Sequence, residues 1–179
     1  HAVLTLLNSN EFINDDSDYI VIIPGDAPLL LKESIDELIS ESTKRSVALG
    51  IITAEVSNPS GYGRIIKDGN TISKIVEESD SSEAEQKINE INSGMYCFNK
   101  SFLLENIKTL NSNNEQNEIY LTDLIEIAFQ NKLDTVIVQV SEDTIKGVNS
   151  MSQLNEVETS LREELITLHM ENGVYFQDP

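Results

Sequence analysis

Apolar and polar positions fall along this chain in blocks, each with its own period. Residues 19–23 form a continuous, largely β-branched apolar run that stops at Pro24-Gly25-Asp26-Ala27-Pro28. A run of this kind, bounded by turn residues, predicts a strand buried on both faces, as in a parallel sheet. Upstream, Ala2, Val3, Leu4, Leu6, Leu7, Phe12 and Ile13 predict a helix packed on a core. Downstream, Ile35, Leu38 and Ile39 share one face of a helix over 32–44, and a second strand follows over 47–56. Strand, helix and strand in this order predict a right-handed βαβ unit.

Asp68-Gly69-Asn70 is a hairpin turn signal between arms at 64–67 and 71–77. Residues 79–87, charged and rich in serine, predict a loop or a short exposed helix. A strand over 91–98, helices over 100–109 and 122–130 and a strand over 135–140 complete the alternation. The final pattern steps Met151, Leu154, Val157, Leu161, Leu165 and Leu168 along one helical face within 150–171. That face predicts docking onto the rest of the domain, with an oligomer seam as the other reading. The fold class is α/β, a sheet flanked by helices.

Composition narrows the possible partners. The 179 residues, 39% hydrophobic and 24% charged, suit one globular domain. With 12 basic against 31 acidic residues the formal charge is −19, which disfavours nucleic acid and anionic lipid as partners. Phosphate chemistry on such a surface needs a metal ion, because no basic cluster is present. No apolar run is long enough to span a bilayer and no secretory signal opens the chain. The lone Cys97, inside the apolar Met95-Tyr96-Cys97-Phe98, fits a structural thiol in a reducing cytoplasm.

In open α/β sheets ligands gather beyond the carboxyl ends of the strands, where Asp26 stands. Taken singly, each candidate has a plain structural alternative. Gly25-Asp26 is also a common turn, Glu77 a solvated carboxylate, and Asn92 a strand-end side chain bonding its own backbone. Gly63 reads equally as a turn glycine and Asn149 as the N-cap of the final helix.

Their order along the chain carries more. Gly25-Asp26-Ala27-Pro28-Leu29, Gly61-Tyr62-Gly63-Arg64-Ile65, Ile75-Val76-Glu77, Glu90-Ile91-Asn92-Ser93-Gly94, Tyr120-Leu121-Thr122-Asp123 and Gly147-Val148-Asn149 follow one another. This set resembles the pyrophosphorylase domain of the bacterial N-acetylglucosamine-1-phosphate uridyltransferases, across essentially the whole chain. The resemblance implies a Rossmann-like mixed sheet with a hairpin over a sugar site. It implies Mg²⁺ held by Asp26 and Asn149, and a substrate pocket formed by Gly25, Asp26, Gly63, Glu77, Asn92 and Asn149. The implied reaction joins UTP and N-acetylglucosamine 1-phosphate into UDP-N-acetylglucosamine and pyrophosphate, in a cytoplasmic protein that is a homotrimer when whole.

Several departures from the family pattern accompany the match. Pro24 stands where an aromatic residue is frequent, and Ser150-Met151-Ser152 follows Asn149 where a basic residue is common. The family's first strand, its Gly-rich triphosphate loop and its uracil-binding segment have no counterpart before His1. The expected organisation is therefore a partial nucleotidyltransferase domain over 1–171 and the start of a linker over 172–179. Arg64 and Lys146 are the positive charges expected near Asp26. From this follow the expectations that the chain alone turns over poorly and that an exposed sheet edge promotes self-association. A non-catalytic sugar-nucleotide module and a nucleotidyltransferase for another sugar stand as alternatives.

Overall fold

The computed structural model describes residues 2–7, 9, 12, 15–148 and 150–177. In chain order the elements are α1 (Ala2–Leu7), β1 (Tyr19–Ile22), α2 (Lys32–Arg45), β2 (Leu49–Glu55), β3 (Arg64–Asp68) and β4 (Thr71–Val76). They continue with β5 (Glu90–Asn99), α3 (Lys100–Asn106), α4 (Asp123–Gln130), β6 (Thr135–Val140) and α5 (Met151–Glu171). Residues 79–87, expected as loop or short helix, hold parts of two 3₁₀ turns, Glu78–Asp80 and Glu85–Lys87. The helix expected over 100–109 splits into α3 and a 3₁₀ turn, Ile107–Thr109.

The strands form one mixed sheet in the order β4-β3-β5-β2-β6, with β1 also paired to β5. Along β1 the register runs from Tyr19 opposite Asn99 to Ile22 opposite Tyr96, antiparallel. On the other edge of β5, Leu49 of β2 opposes Phe98, also antiparallel. Among the described residues only β2 and β6 pair in parallel.

The expected βαβ unit is present, with another strand inserted in it. The strands β1 and β2 do run in the same direction, but β5 lies between them, so α2 crosses over an intervening antiparallel strand. Of the apolar run at 19–23, Tyr19–Ile22 is half-buried and Ile23 is exposed, rather than fully buried. Among the described residues β1 is paired along one edge only.

Helices cover both faces of the sheet, which explains why its strands read as continuous apolar runs. Leu49, Ile51, Tyr96 and Phe98 point into a core closed by α1, α3 and α4. Leu38 of α2 packs on the opposite face with Ile52, Met95, Cys97, Val136 and Val138. The helix approaches so closely there that a Cβ on Gly50 would lie 2.3 Å from Ser42 Oγ. Cys97 is buried, in line with a structural thiol.

A third apolar group, Ala54, Val56, Ile91 and Ile145 with Tyr62 against it, underlies the ligand end of the sheet. In α5 only Val157 is buried, while Met151, Leu165 and Leu168 are largely exposed. The predicted docking of that face is confined to Val157, and near the far end of the helix Phe176 of the following segment lies against His169. No helix among the described residues is long and apolar enough to cross a membrane.

Candidate active site

The site grows from a distortion in β5. Pairing with β2 breaks between Ile51 and Thr53, and opposite the break Gly94 takes φ +78°. Ser93, Gly94 and Met95 of β5 stand there against Ile52 alone, and such an excess kinks a strand and re-aims its side chains. Ser93 Oγ stabilises the kink by donating to the Ile52 carbonyl (2.7 Å) and accepting from the Met95 N–H (3.2 Å). Gly94 also leaves room for the turn after β1, since a Cβ there would lie 3.1 Å from Pro24 Cγ.

Three of the expected residues meet beside this kink. The Asn92 N–H donates to the Gly63 carbonyl (2.9 Å). A Cβ on Gly63 would lie 3.1 Å from Glu77 Oε2 and 2.9 Å from Ile75 Cγ2, so close approach requires glycine here. Asn92 Oδ1 accepts from the Gly94 N–H and the Tyr96 hydroxyl, each at 2.9 Å. The predicted bond to its own backbone is present, and the amide Nδ2 is left without a partner among the described residues.

Glu77 follows β4 and is half-buried. Thr122 Oγ1 donates to its Oε1 at 3.0 Å. Burial pushes the Glu77 carboxyl above its ordinary value, the Thr122 hydrogen bond opposes this, and the charges of Asp123 and Asp80 add to the rise. Burial likewise raises Asp123, with Glu126 and Asp80 adding to it.

Thr122 was the least legible member of this group. A threonine opening a helix reads as an N-cap, yet it makes no capping bond to α4 and its hydroxyl serves Glu77 instead. The only available signal was the run Tyr120-Leu121-Thr122-Asp123 itself.

Asp26 lies on a neighbouring cavity of about 390 Å³, lined also by Pro24, Gly61, Tyr62, Ser93 and Gly147. Gly63, Glu77 and Asn92 flank this cavity through Tyr62 and Ser93 and are not part of its lining. Gly25 stands in the exposed turn beside Asp26 without lining it. No described residue forms an ion pair or side-chain hydrogen bond with the Asp26 carboxylate. Its backbone carbonyl accepts from the Val148 N–H at 2.9 Å, which draws the end of the Gly147-Val148 segment to the site.

Asn149 lies outside the described residues. The N-cap of α5 is Ser150, whose Oγ accepts from the Gln153 N–H at 3.2 Å, in place of the capping role open to Asn149.

The two expected positive charges divide. Lys146 is exposed, pairs with Asp143 and lines the adjoining cleft. Arg64 is buried against Glu78, so its charge is not presented to the cavity as expected. Among the described residues no three carboxylate, His or Cys side chains group as a metal cage. A lone carboxylate on an open cavity, without a competing cation, still suits a hard ion that keeps waters and takes substrate phosphates as ligands.

A mixed sheet covered by helices, with the candidate site beyond a kinked strand, is a fold shared with known solved structures. The solved structure of CMP:2-keto-3-deoxy-manno-octonic acid synthetase complexed with CTP superposes with a TM-score of 0.62 at 15% identity. The match covers 90% of this chain and 67% of that one.

The chain belongs to the nucleotidyl transferase family, which matches residues 2–144. It is 45% identical over 175 residues to the bifunctional protein GlmU of Clostridium novyi (strain NT), covering 97% of this chain. It is 43% identical over 179 residues to the bifunctional protein GlmU of Clostridium botulinum (strain Loch Maree / Type A3), covering 99%. The chain spans 38% of the length of each of these relatives.

Proposed function

We propose that this chain provides the sugar-phosphate and metal side of a cytoplasmic uridyltransferase that converts UTP and N-acetylglucosamine 1-phosphate into UDP-N-acetylglucosamine and pyrophosphate. The observation carrying this reading is the contact of Gly63, Glu77 and Asn92 beside the cavity that Asp26 lines.

Electrostatics orients the substrate. Glu77, Asp80 and Asp123 repel phosphate, so the uncharged ring belongs at Glu77 and the phosphate toward Asp26. The Glu77 carboxylate accepts hydroxyl hydrogens, and the Asn92 amide donates to the acetamido carbonyl or a hydroxyl. Gly63 lets the ring approach the backbone.

Asp26, with Asn149 as the partner implied by the family resemblance, would hold Mg²⁺. When bound, the ion supplies charge neutralisation for the reacting phosphates. A sugar 1-phosphate oxygen attacks the α-phosphorus of UTP, a new P–O bond forms, and the α–β bridging bond breaks to release pyrophosphate. The substrate is its own nucleophile, so the chain's residues bind and align it.

Calorimetry with N-acetylglucosamine 1-phosphate and glucose 1-phosphate, each with and without Mg²⁺, tests the assignment. Metal-enhanced preference for the acetamido sugar is the expected result. Equal affinity for the two sugars would remove the assignment.

Glu77 provides a second test. Because its folded-state value lies above the ordinary 4.5, the native state keeps the proton longer than the unfolded chain does. Stability from this group is therefore intact below about 4.5 and declines as pH rises through the shifted range. Replacing Glu77 with Gln should raise Tm relative to the parent at pH 8 and leave the two equal at pH 4. Sugar-phosphate affinity should fall at pH 8. Calorimetric scans and titrations at matched pH read both effects, and an unchanged affinity would dismiss Glu77 as a sugar ligand.

A further inference from the structure

Arg64, the first residue of β3, has a side chain only 2% exposed. Its Nη2 donates to Glu78 Oε2 at 3.1 Å, and its Nη1 donates to the Tyr62 carbonyl. The same Glu78 oxygen accepts the Gly61 N–H at 2.6 Å. The guanidinium and one carboxylate thus grip two consecutive backbone groups of the loop that walls the Asp26 cavity. Gly61 sits at φ +87°, a conformation that most side chains disfavour and that a fixed loop must hold.

A purely structural role explains this arrangement poorly. The Nε hydrogen is buried without a partner among the described residues. Burying a guanidinium incompletely paired is less stabilising than burying an apolar side chain of similar volume. What the arginine does that an apolar residue would not is fix the Gly61 and Tyr62 backbone from behind, through a planar fork with several donors.

We propose that Arg64 is a positioning residue: with Glu78 it sets the height of the Gly61–Gly63 wall and thereby the fit of the sugar phosphate. The proposal rests on the reading of this cleft as a sugar-phosphate site. The wall continues into Gly63, whose carbonyl takes the Asn92 N–H and whose α-carbon lies against Glu77. A shift at Tyr62 is therefore transmitted to all three proposed sugar contacts while Asp26, on the opposite turn, stays in place.

The test compares the parent chain with Arg64→Met, Arg64→Lys and Glu78→Gln, using amide hydrogen exchange and calorimetric titration of N-acetylglucosamine 1-phosphate with Mg²⁺. In Arg64→Met the Gly61 amide should exchange at least about tenfold faster, and affinity should fall at least about tenfold. Arg64→Lys should lie between, because an ammonium keeps the Glu78 pair but not the fork. Should Arg64→Met fail to fold, Glu78→Gln carries the same two readouts with its partner still present.

Unchanged Gly61 exchange in a folded variant, or faster exchange with unchanged affinity, would overturn the proposal. If the parent chain binds no sugar phosphate, the functional reading falls. The exchange comparison still decides whether Arg64 fixes the wall.

Discussion

Asp26→Asn is expected to weaken Mg²⁺-dependent binding of UDP-N-acetylglucosamine by about 100-fold while leaving Tm within about 1 °C of the parent. The two halves of this expectation come from different features. Asp26 is exposed and its carboxylate makes no ion pair among the described residues, so removing its charge disturbs no packing. In the proposed function it is also a formal charge on the cavity where phosphate would sit beside a metal ion. Neutralising phosphate through a bound ion contributes several kcal/mol, and about 2.7 kcal/mol corresponds to a 100-fold change. Relaxation enhancement by Mn²⁺, a magnetic stand-in for Mg²⁺, should disappear in the variant. Retained enhancement with unchanged nucleotide-sugar affinity would move the metal elsewhere.

The largest stability effect should come from Phe98→Ala. Phe98 is wholly buried in β5, opposite Ile20 of β1 on one edge and Leu49 of β2 on the other. Its ring centroid lies 5.4 Å from that of Tyr96. Truncating a buried phenylalanine costs about 3–5 kcal/mol, from lost transfer energy and the cavity left behind. For a domain of this size that corresponds to a fall in Tm of roughly 10 °C. Thermal unfolding followed by circular dichroism checks it. A fall of less than about 3 °C would mean that neighbouring side chains collapse into the space. Tyr96, on the same face of β5, supports Asn92, so sugar-phosphate affinity should fall alongside stability.

How much of this was readable from the chain depends on the range of the interaction. The hairpin was legible because its cause is local: Gly69 takes φ +60° in the two-residue turn between β3 and β4. The helices α2 and α5 followed from periodicity in the same way. Strand order was not legible. A sheet covered by helices on both faces makes antiparallel strands as uniformly apolar as parallel ones, so the run at 19–23 could not reveal that β5 would lie beside it.

The site divides similarly. Asp26 stood out because a turn after a strand exposes it. Gly63, Glu77 and Asn92 lie far apart in sequence and were joined by family resemblance rather than by spacing. Thr122 was obscured by its resemblance to a helix cap. Arg64 looked like a charge for phosphate because composition cannot show that Glu78 neutralises it inside the fold.

The placement of β5 also bears on the birth of the protein at the ribosome. Tyr19 finds its partner only at Asn99, and Leu49 first at Phe98 and then at Thr135. An emerging chain therefore carries β1 and β2 as unpaired apolar segments until β5 has been synthesised. Distant pairings of this kind form slowly and leave sticky intermediates. Chaperone capture of stalled nascent chains should accordingly drop sharply once β5 has cleared the exit tunnel.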